Sequence, residues 1–136
     1  MIRGPALVLD EPLSLWGGLD PVTGELIDVH HPQLGANLAG RIVVMPSGRG
    51  SSSSAAILAE AVRAGTAPAA FILGEADLIL AIGAAVAAEL YGITVPIVTH
   101  DGPPIPEGAA VSIDSDGSVA VEADAGSDER TVNEGP

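Results

Sequence analysis

Residues 41–65 read RIVVMPSGRGSSSSAAILAEAVRAG, an apolar run followed by a loop rich in glycine and serine and then a segment of helical spacing. Residues 41–45 predict a short buried strand. Ser51 or Ser52 then caps a helix that continues to the stop signal at Gly65. A strand that enters a helix through a short loop predicts an α/β unit.

The same alternation of apolar runs and helical segments continues on both sides of this unit. Strand, helix, strand, helix, strand implies parallel pairing through right-handed crossovers. Asp116-Gly117 is a standard hairpin signal, and the hairpin around it closes the domain. The other predicted elements are strands at residues 6–9, 69–73, 95–98, 110–113 and 118–122 and a helix at residues 78–91 with Asp77 as its N-cap. The predicted fold class is α/β with parallel strands, two main helices and a C-terminal hairpin.

Length and composition predict one domain with an aliphatic core. The chain has 136 residues, 47% of them hydrophobic, but only one Phe, one Trp and one Tyr. A core of Ala, Val, Ile and Leu favours close packing of helices on a sheet. Residues 124–136 are acidic and poor in apolar groups, so burial cannot offset their ordering entropy. We therefore expect a domain at residues 1–123 and a disordered acidic tail at residues 124–136.

Charge and missing residue types exclude several classes of partner and cofactor. Five arginines against 18 acidic residues leave a formal charge of −13, which disfavours nucleic-acid and membrane partners. No apolar run approaches the roughly 18 to 20 residues of a membrane span, and no signal-peptide pattern is present, so a cytoplasmic location is expected. Without cysteine the chain has no thiolate ligand for zinc or an iron–sulfur cluster, and we expect it to bind no metal.

The loop at residues 46–55, PSGRGSSSSA, has the features of an anion-binding site. It lies between a strand and the N-terminus of a helix, where unpaired backbone N–H groups and the positive end of the helix dipole meet. Gly48 and Gly50 are expected to take positive φ and to let the backbone approach a ligand. Arg49 offers a planar fork for a carboxylate or a phosphate.

Two other motifs that contain such a loop do not fit. A nucleotide-binding P-loop needs a lysine before the Ser or Thr, and the chain has no lysine. A serine-hydrolase elbow, Gly-x-Ser-x-Gly, needs a second glycine where Ala or Ser follows here. The residue types alone leave open whether the serines contact a ligand or only form an N-cap and a small-residue turn, and these serines are Ser51, Ser52, Ser53 and Ser54.

An ordered set of short motifs accompanies the loop. The chain contains Asp20-Pro21-x-Thr23-Gly24 and His31-Pro32-Gln33 before it, and Ala67-Pro68-Ala69-Ala70 and Glu75-Ala76-Asp77-x-Ile79-Leu80-Ala81-x-Gly83-Ala84 after it. Together with the loop, over about residues 4–99, this combination resembles the swivel domain of the aconitase X family. The resemblance implies a swivelling β/β/α domain that packs against a large subunit, whose cysteines hold an iron–sulfur centre.

The resemblance also implies roles for the loop residues. In the broader aconitase superfamily a serine of a Gly-Ser-Ser loop abstracts the proton next to a carboxylate, and the first serine after the glycine is Ser51 here. Ser52 is the second choice, because Ser47 stands where glycine is expected as often as not. The serine alkoxide must be stabilised by converging N–H groups, the helix end and a cation. The expected substrate-binding residues are Ser47, Arg49, Gly50 and Ser52.

The implied function is that of the small subunit of a hetero-oligomeric hydro-lyase, active only with the large subunit and acting on a small hydroxy acid. The expected substrate is cis-3-hydroxy-L-proline, and the alternative within the family is 5-phosphomevalonate. Two interpretations from other classes are a non-catalytic anion-binding or regulatory module and a structural swivel domain that has lost catalysis. The residues leave open the substrate, the cluster type, the oligomer stoichiometry and which of the four serines is the base.

Three other positions carry titratable side chains of interest. His30 and His31 are adjacent in an extended segment and point to opposite sides, so a shared metal is not expected, and His31 has either a structural role or a role at a site or interface. Asp77 is expected mainly as a helix cap. His100 and Asp101 follow the carboxyl end of a strand, where ligands of open sheets often bind, but without a partner motif they are treated as loop residues.

Overall fold

The computed structural model describes residues 1–122, which contain six strands and three helices. The strands are β1 (Ile2–Val8), β2 (Ile42–Met45), β3 (Ala70–Leu73), β4 (Ile97–Thr99), β5 (Ala110–Ile113) and β6 (Val119–Val121). The helices are α1 (Leu15–Gly18), α2 (Ser53–Ala64) and α3 (Leu78–Tyr91). The predicted tail at residues 124–136 lies outside the described residues, so its disorder and the domain boundary stay predictions. Within residues 1–122 no helix has the length and apolar character needed to cross a bilayer.

The six strands form one sheet in the order β4-β3-β2-β1-β5-β6. The strands β1 to β4 are parallel, with α2 between β2 and β3 and α3 between β3 and β4. The last two strands form the hairpin, since β5 runs antiparallel to β1 and β6 antiparallel to β5. The predicted α/β class with parallel strands, two main helices and a C-terminal hairpin is confirmed.

Both faces of the sheet are covered, which produces the β/β/α layering. Phe71 of β3 is fully buried on one face, in a cluster shared with α2 and α3. Ile72 points to the other face and packs in a second cluster with Val111 of the hairpin. The hairpin curls across this second face. Its turn reaches β4 at the opposite edge of the sheet, where a Cβ placed on Gly117 would lie 3.8 Å from the side chain of Val98. The sheet is therefore enclosed between helices and its own hairpin.

The long segment between β1 and β2 is held to the core by leucine side chains. The buried residues are Leu13, Leu15, Leu19, Leu26 and Leu38. All five belong to the cluster between the sheet and the helices. The segment thus covers part of the core and brings Leu13 to the loop that precedes α2.

Candidate functional site

The loop between β2 and α2 contains every residue assigned to the site and runs beside Leu13. Gly48 forms a parallel bridge with Leu13, and the N–H group of Arg49 donates to the Leu13 carbonyl at 3.3 Å. Neither Gly48 nor Gly50 has a positive φ, so that expectation was wrong. Backbone hydrogen bonding to Leu13 holds the loop in ordinary conformations. Gly48 permits a close approach by another residue, whereas a Cβ placed on Gly50 would meet no atom within 4 Å.

Ser51 and Ser52 stand at the start of α2, as predicted, but neither makes a strong cap. Ser52 occupies the N-cap position with helical φ and ψ and no side-chain hydrogen bond, and Ser51 Oγ accepts from the Ser53 N–H group at 3.3 Å. In the described part of the chain, the N–H groups of Gly50, Ser51 and Ser52 donate to no protein atom. The positive end of α2 therefore has donors available for an anion.

Ser54 has a different environment from the serines before it. It is 4% exposed, and its Oγ accepts from the Trp16 N–H group at 3.2 Å and lies 3.4 Å from Ser14 Oγ. These contacts tie the first turn of α2 to α1. A buried hydroxyl engaged in this way is a structural group. The preceding serines are half-buried or exposed and are available to a ligand.

Asp77 supports the loop from the start of α3. Its Oδ1 accepts from the Leu80 N–H group at 2.9 Å, which confirms the predicted N-cap. Its Oδ2 lies against Gly48, because a Cβ placed on Gly48 would stand only 2.0 Å from that oxygen. One carboxylate therefore caps α3 and fixes the position of Gly48, a link that no local pattern predicts.

We expect Gly48→Ala to destabilise the chain through Asp77. The backbone admits alanine, since Gly48 has no positive φ, but the methyl group displaces the carboxylate from the cap of α3. The cost is that of a lost cap, about 1 kcal/mol. Asp77→Ala removes the cap itself, so the double variant should lose little more than either single variant. Urea unfolding of the four proteins measures this coupling, and additive losses would contradict the contact.

The loop is open to solvent on its outer side. Among residues 1–122, three arginines form ion pairs with carboxylates, and Arg49 does not. Arg49 and Gly50 are exposed, and Ser47 is half-buried. The gap between the loop and α3 encloses about 10 Å³, the space of a single water molecule. A hydroxy acid bound here would lie over the loop and not inside this chain.

His30 and His31 lie in the long segment between β1 and β2, called the irregular segment below, and do not form a metal site. His31 is buried, with Nε2 3.0 Å from the Glu11 carbonyl oxygen and Nδ1 accepting from the Gln33 N–H group at 3.0 Å, so its role is structural. His30 is exposed. Across residues 1–122 no three His, Cys, Asp or Glu side chains are grouped so as to hold a metal ion.

His100 lies at the carboxyl ends of the parallel strands, where it lines an open cavity of about 250 Å³. The rest of the lining is mainly apolar and includes Pro46, Gly74 and Ile105. Pro46 is the first residue after β2 and begins the loop at residues 46–52, which is called the serine loop below. His100 and the serine loop therefore share one edge of the sheet. The sequence alone predicts only that His100 is a loop residue. The one feature of the sequence that could have indicated a binding position is that His100 follows a strand.

Similarity to known proteins points to one family. The aconitase X swivel domain matches residues 1–122. A cis-3-hydroxy-L-proline dehydratase of Pseudomonas aeruginosa is 49% identical over 94 residues, which are 69% of this chain and only 16% of that protein. A phosphomevalonate dehydratase small subunit of Thermococcus sibiricus is 39% identical over 123 residues, which are 89% of this chain and 90% of that protein.

Solved structures show the same likeness. The crystal structure of the holo-form of Thermococcus kodakaraensis aconitase X has a TM-score of 0.80 to this chain and 33% sequence identity, with 89% of each chain covered. The solution structure of a UPF0107 protein has a TM-score of 0.76 and 32% identity. The swivelling β/β/α fold implied by the motifs is confirmed by these neighbours.

Proposed function

This chain belongs to the aconitase X swivel domain family, and from that premise we propose that it is the small subunit of a hetero-oligomeric, cytoplasmic dehydratase, active only with a large subunit. The open serine loop carries the proposal. Arg49 and backbone donors lie around Ser51, and the gap within this chain is too small for a hydroxy acid. Relatives that are named small subunits support a larger partner that completes the site.

Ser51 is the proposed base. It removes the proton from the carbon next to the substrate carboxylate, and the electron pair left on that carbon forms the double bond. The bond between the neighbouring carbon and its hydroxyl group breaks as the double bond forms, and the hydroxyl group takes the electron pair of that bond. The departing hydroxide and the proton taken up by Ser51 together make up the one water molecule lost. Ser51 must be deprotonated for this step. The Ser53 N–H group, 3.3 Å from Ser51 Oγ, and the positive end of α2 support the alkoxide.

The other loop residues hold the anionic group of the substrate in this proposal. Arg49 offers two parallel N–H donors. The N–H groups of Gly50 and Ser52, which donate to no protein atom within residues 1–122, add two more, and the half-buried Ser47 adds a hydroxyl.

An iron–sulfur cluster, which would assist departure of the hydroxyl group, does not fit this chain. The sequence has no cysteine, and residues 1–122 hold no group of three metal-binding side chains. We therefore assign the cluster to the large subunit.

Two substrates fit the proposal. The first is cis-3-hydroxy-L-proline, after the dehydratase that is 49% identical to this chain. The second is 5-phosphomevalonate, after the small subunit that is 39% identical to this chain over 123 residues. A carboxylate and a phosphate both suit Arg49 beside a helix N-terminus.

Measuring turnover of both compounds shows which of them is the substrate. We expect this chain, co-expressed with its large subunit, to remove water from one of the two compounds, and each chain alone to be inactive. Mass spectrometry detects the loss of water from either compound. A stable complex that is inactive on both, together with anion binding by the isolated chain, would instead support the non-catalytic anion-binding module.

A further inference from the structure

The outer face of α3 is apolar along its length. Leu78, Ile82, Val86 and Leu90 follow one another at intervals of four residues and are 74%, 47%, 41% and 64% exposed. Residues spaced by four lie above one another on one side of a helix, so these side chains form a continuous row. These four residues are called the α3 stripe below.

Folding of this chain accounts only for the opposite face of α3. Leu80, Gly83, Ala84 and Ala87 are buried there, where α3 packs against α2. A helix on a protein surface normally has polar residues on its outer face. Glu89 is the one charged residue in the 14 residues of α3, although the chain carries a formal charge of −13. An uncharged, apolar row on so acidic a chain indicates a surface that another protein covers.

The α3 stripe begins beside the serine loop. Its first residue, Leu78, directly follows Asp77, whose carboxylate lies against Gly48 of the loop. A protein surface that closes over a substrate on the loop would therefore continue onto the N-terminal end of the stripe. The stripe and the open side of the loop can thus be covered by one partner.

We propose that the α3 stripe is the surface on which the large subunit of the dehydratase docks, an inference that rests on the proposed function. The matched segment is only 16% of the hydroxyproline dehydratase chain, so in that relative the domain is joined to a much longer protein. A second copy of this chain is a poor occupant, since it brings a further formal charge of −13 to the interface. The facing surface of the large subunit is apolar and uncharged, with a basic rim.

The test is the Kd between the purified large subunit and this chain, measured by calorimetry without substrate. Ile82→Glu/Val86→Glu places two carboxylates in the middle of the stripe and should raise the Kd about thirtyfold. Leu78→Glu, at the most exposed position of the stripe, is a second variant with the same expected direction. The matched control is Val22→Glu/Val29→Glu, two exposed valines of the irregular segment that receive the same charge. An unchanged Kd in the stripe variants, or an equal loss in the control, would overturn the proposal.

Two further measurements distinguish failure of the docking proposal from failure of the proposed serine base. A wild-type chain that sediments as a dimer, and becomes monomeric as Ile82→Glu/Val86→Glu, would assign the stripe to a second copy and overturn docking of the large subunit. Ser51→Ala should keep the wild-type Kd. If Ser51→Ala also keeps full turnover while the stripe variants bind weakly, the docking surface is supported and Ser51 is not the base. Turnover of the stripe variants should return when the large subunit is in excess.

Discussion

Replacement of Ser51 by alanine is expected to lower the kcat of the assembled enzyme by about 10³- to 10⁴-fold, because the proton next to the substrate carboxylate then has no base. Ser51 Oγ lies 3.3 Å from the Ser53 N–H group at the start of α2, so its alkoxide would form beside a donor and the positive helix end. The KM should change little, since Arg49 and the backbone donors stay in place. Steady-state kinetics at saturating substrate measure the effect.

Ser53→Ala is the matched control for this prediction. Ser53 is exposed, and it contacts Ser51 through its backbone N–H group, which alanine keeps. Its kcat should stay near that of the wild type. Loss of activity in Ser52→Ala but not in Ser51→Ala would show that Ser52, and not Ser51, is the base. Full activity in all three variants would contradict a serine base in this loop and favour a structural swivel domain.

Helix boundaries were predictable from the sequence because capping depends on neighbours a few residues away. Asp77 caps α3 through the Leu80 N–H group, as its position before an apolar helical segment predicts. Gly65 and Gly92 end the two main helices with φ of 80° and 68°, conformations that glycine adopts at no steric cost. The predicted helix at residues 78–91 agrees with α3 at both ends.

Strand boundaries were less predictable because they depend on partners far along the chain. The strand β1 begins at Ile2 and not at residue 6, since Ile2 pairs with Ile113 of the hairpin. The strand β4 starts at Ile97, two residues later than predicted, where it pairs with Phe71. No short stretch of sequence contains either pairing.

The residues of the candidate site were predictable, but their environments were not. Four consecutive serines look alike in sequence, and only the packing against α1 shows that Ser54 is buried and bonded to the Trp16 N–H group. The support of Gly48 by Asp77 likewise joins two residues from different elements. Motifs identify which residues form a loop, whereas tertiary contacts decide which of them remain free for a ligand.

Gly83→Val should have the largest effect on stability, with the free energy of unfolding lower by about 3 kcal/mol. A Cβ placed on Gly83 would lie 2.8 Å from the Ala55 carbonyl oxygen and 2.9 Å from Ala55 Cα. These are backbone atoms of the first turn of α2, so no change of rotamer relieves the clash and the two helices must separate. Urea unfolding of the isolated chain measures the loss.

Gly83→Ala shows which of two opposing effects is larger. Alanine gains about 1 kcal/mol over glycine in helix propensity, whereas overpacking of a close contact costs about 1–3 kcal/mol. Because the obstacle is backbone, the steric cost should exceed the gain, and we expect a net loss of stability. A net gain would mean that the helices part easily at this point.

Ala85→Val is the matched control, because it adds the same β-branched side chain at an exposed position of α3. It should cost only about 0.5 kcal/mol, the difference in helix propensity. Ala55 directly follows Ser54, so separation of the helices also moves the serine loop, and Gly83→Val should lower kcat under conditions where the complex stays folded. If Gly83→Val were as stable and as active as Ala85→Val, the close packing of α3 on α2 could not be what positions Ser51.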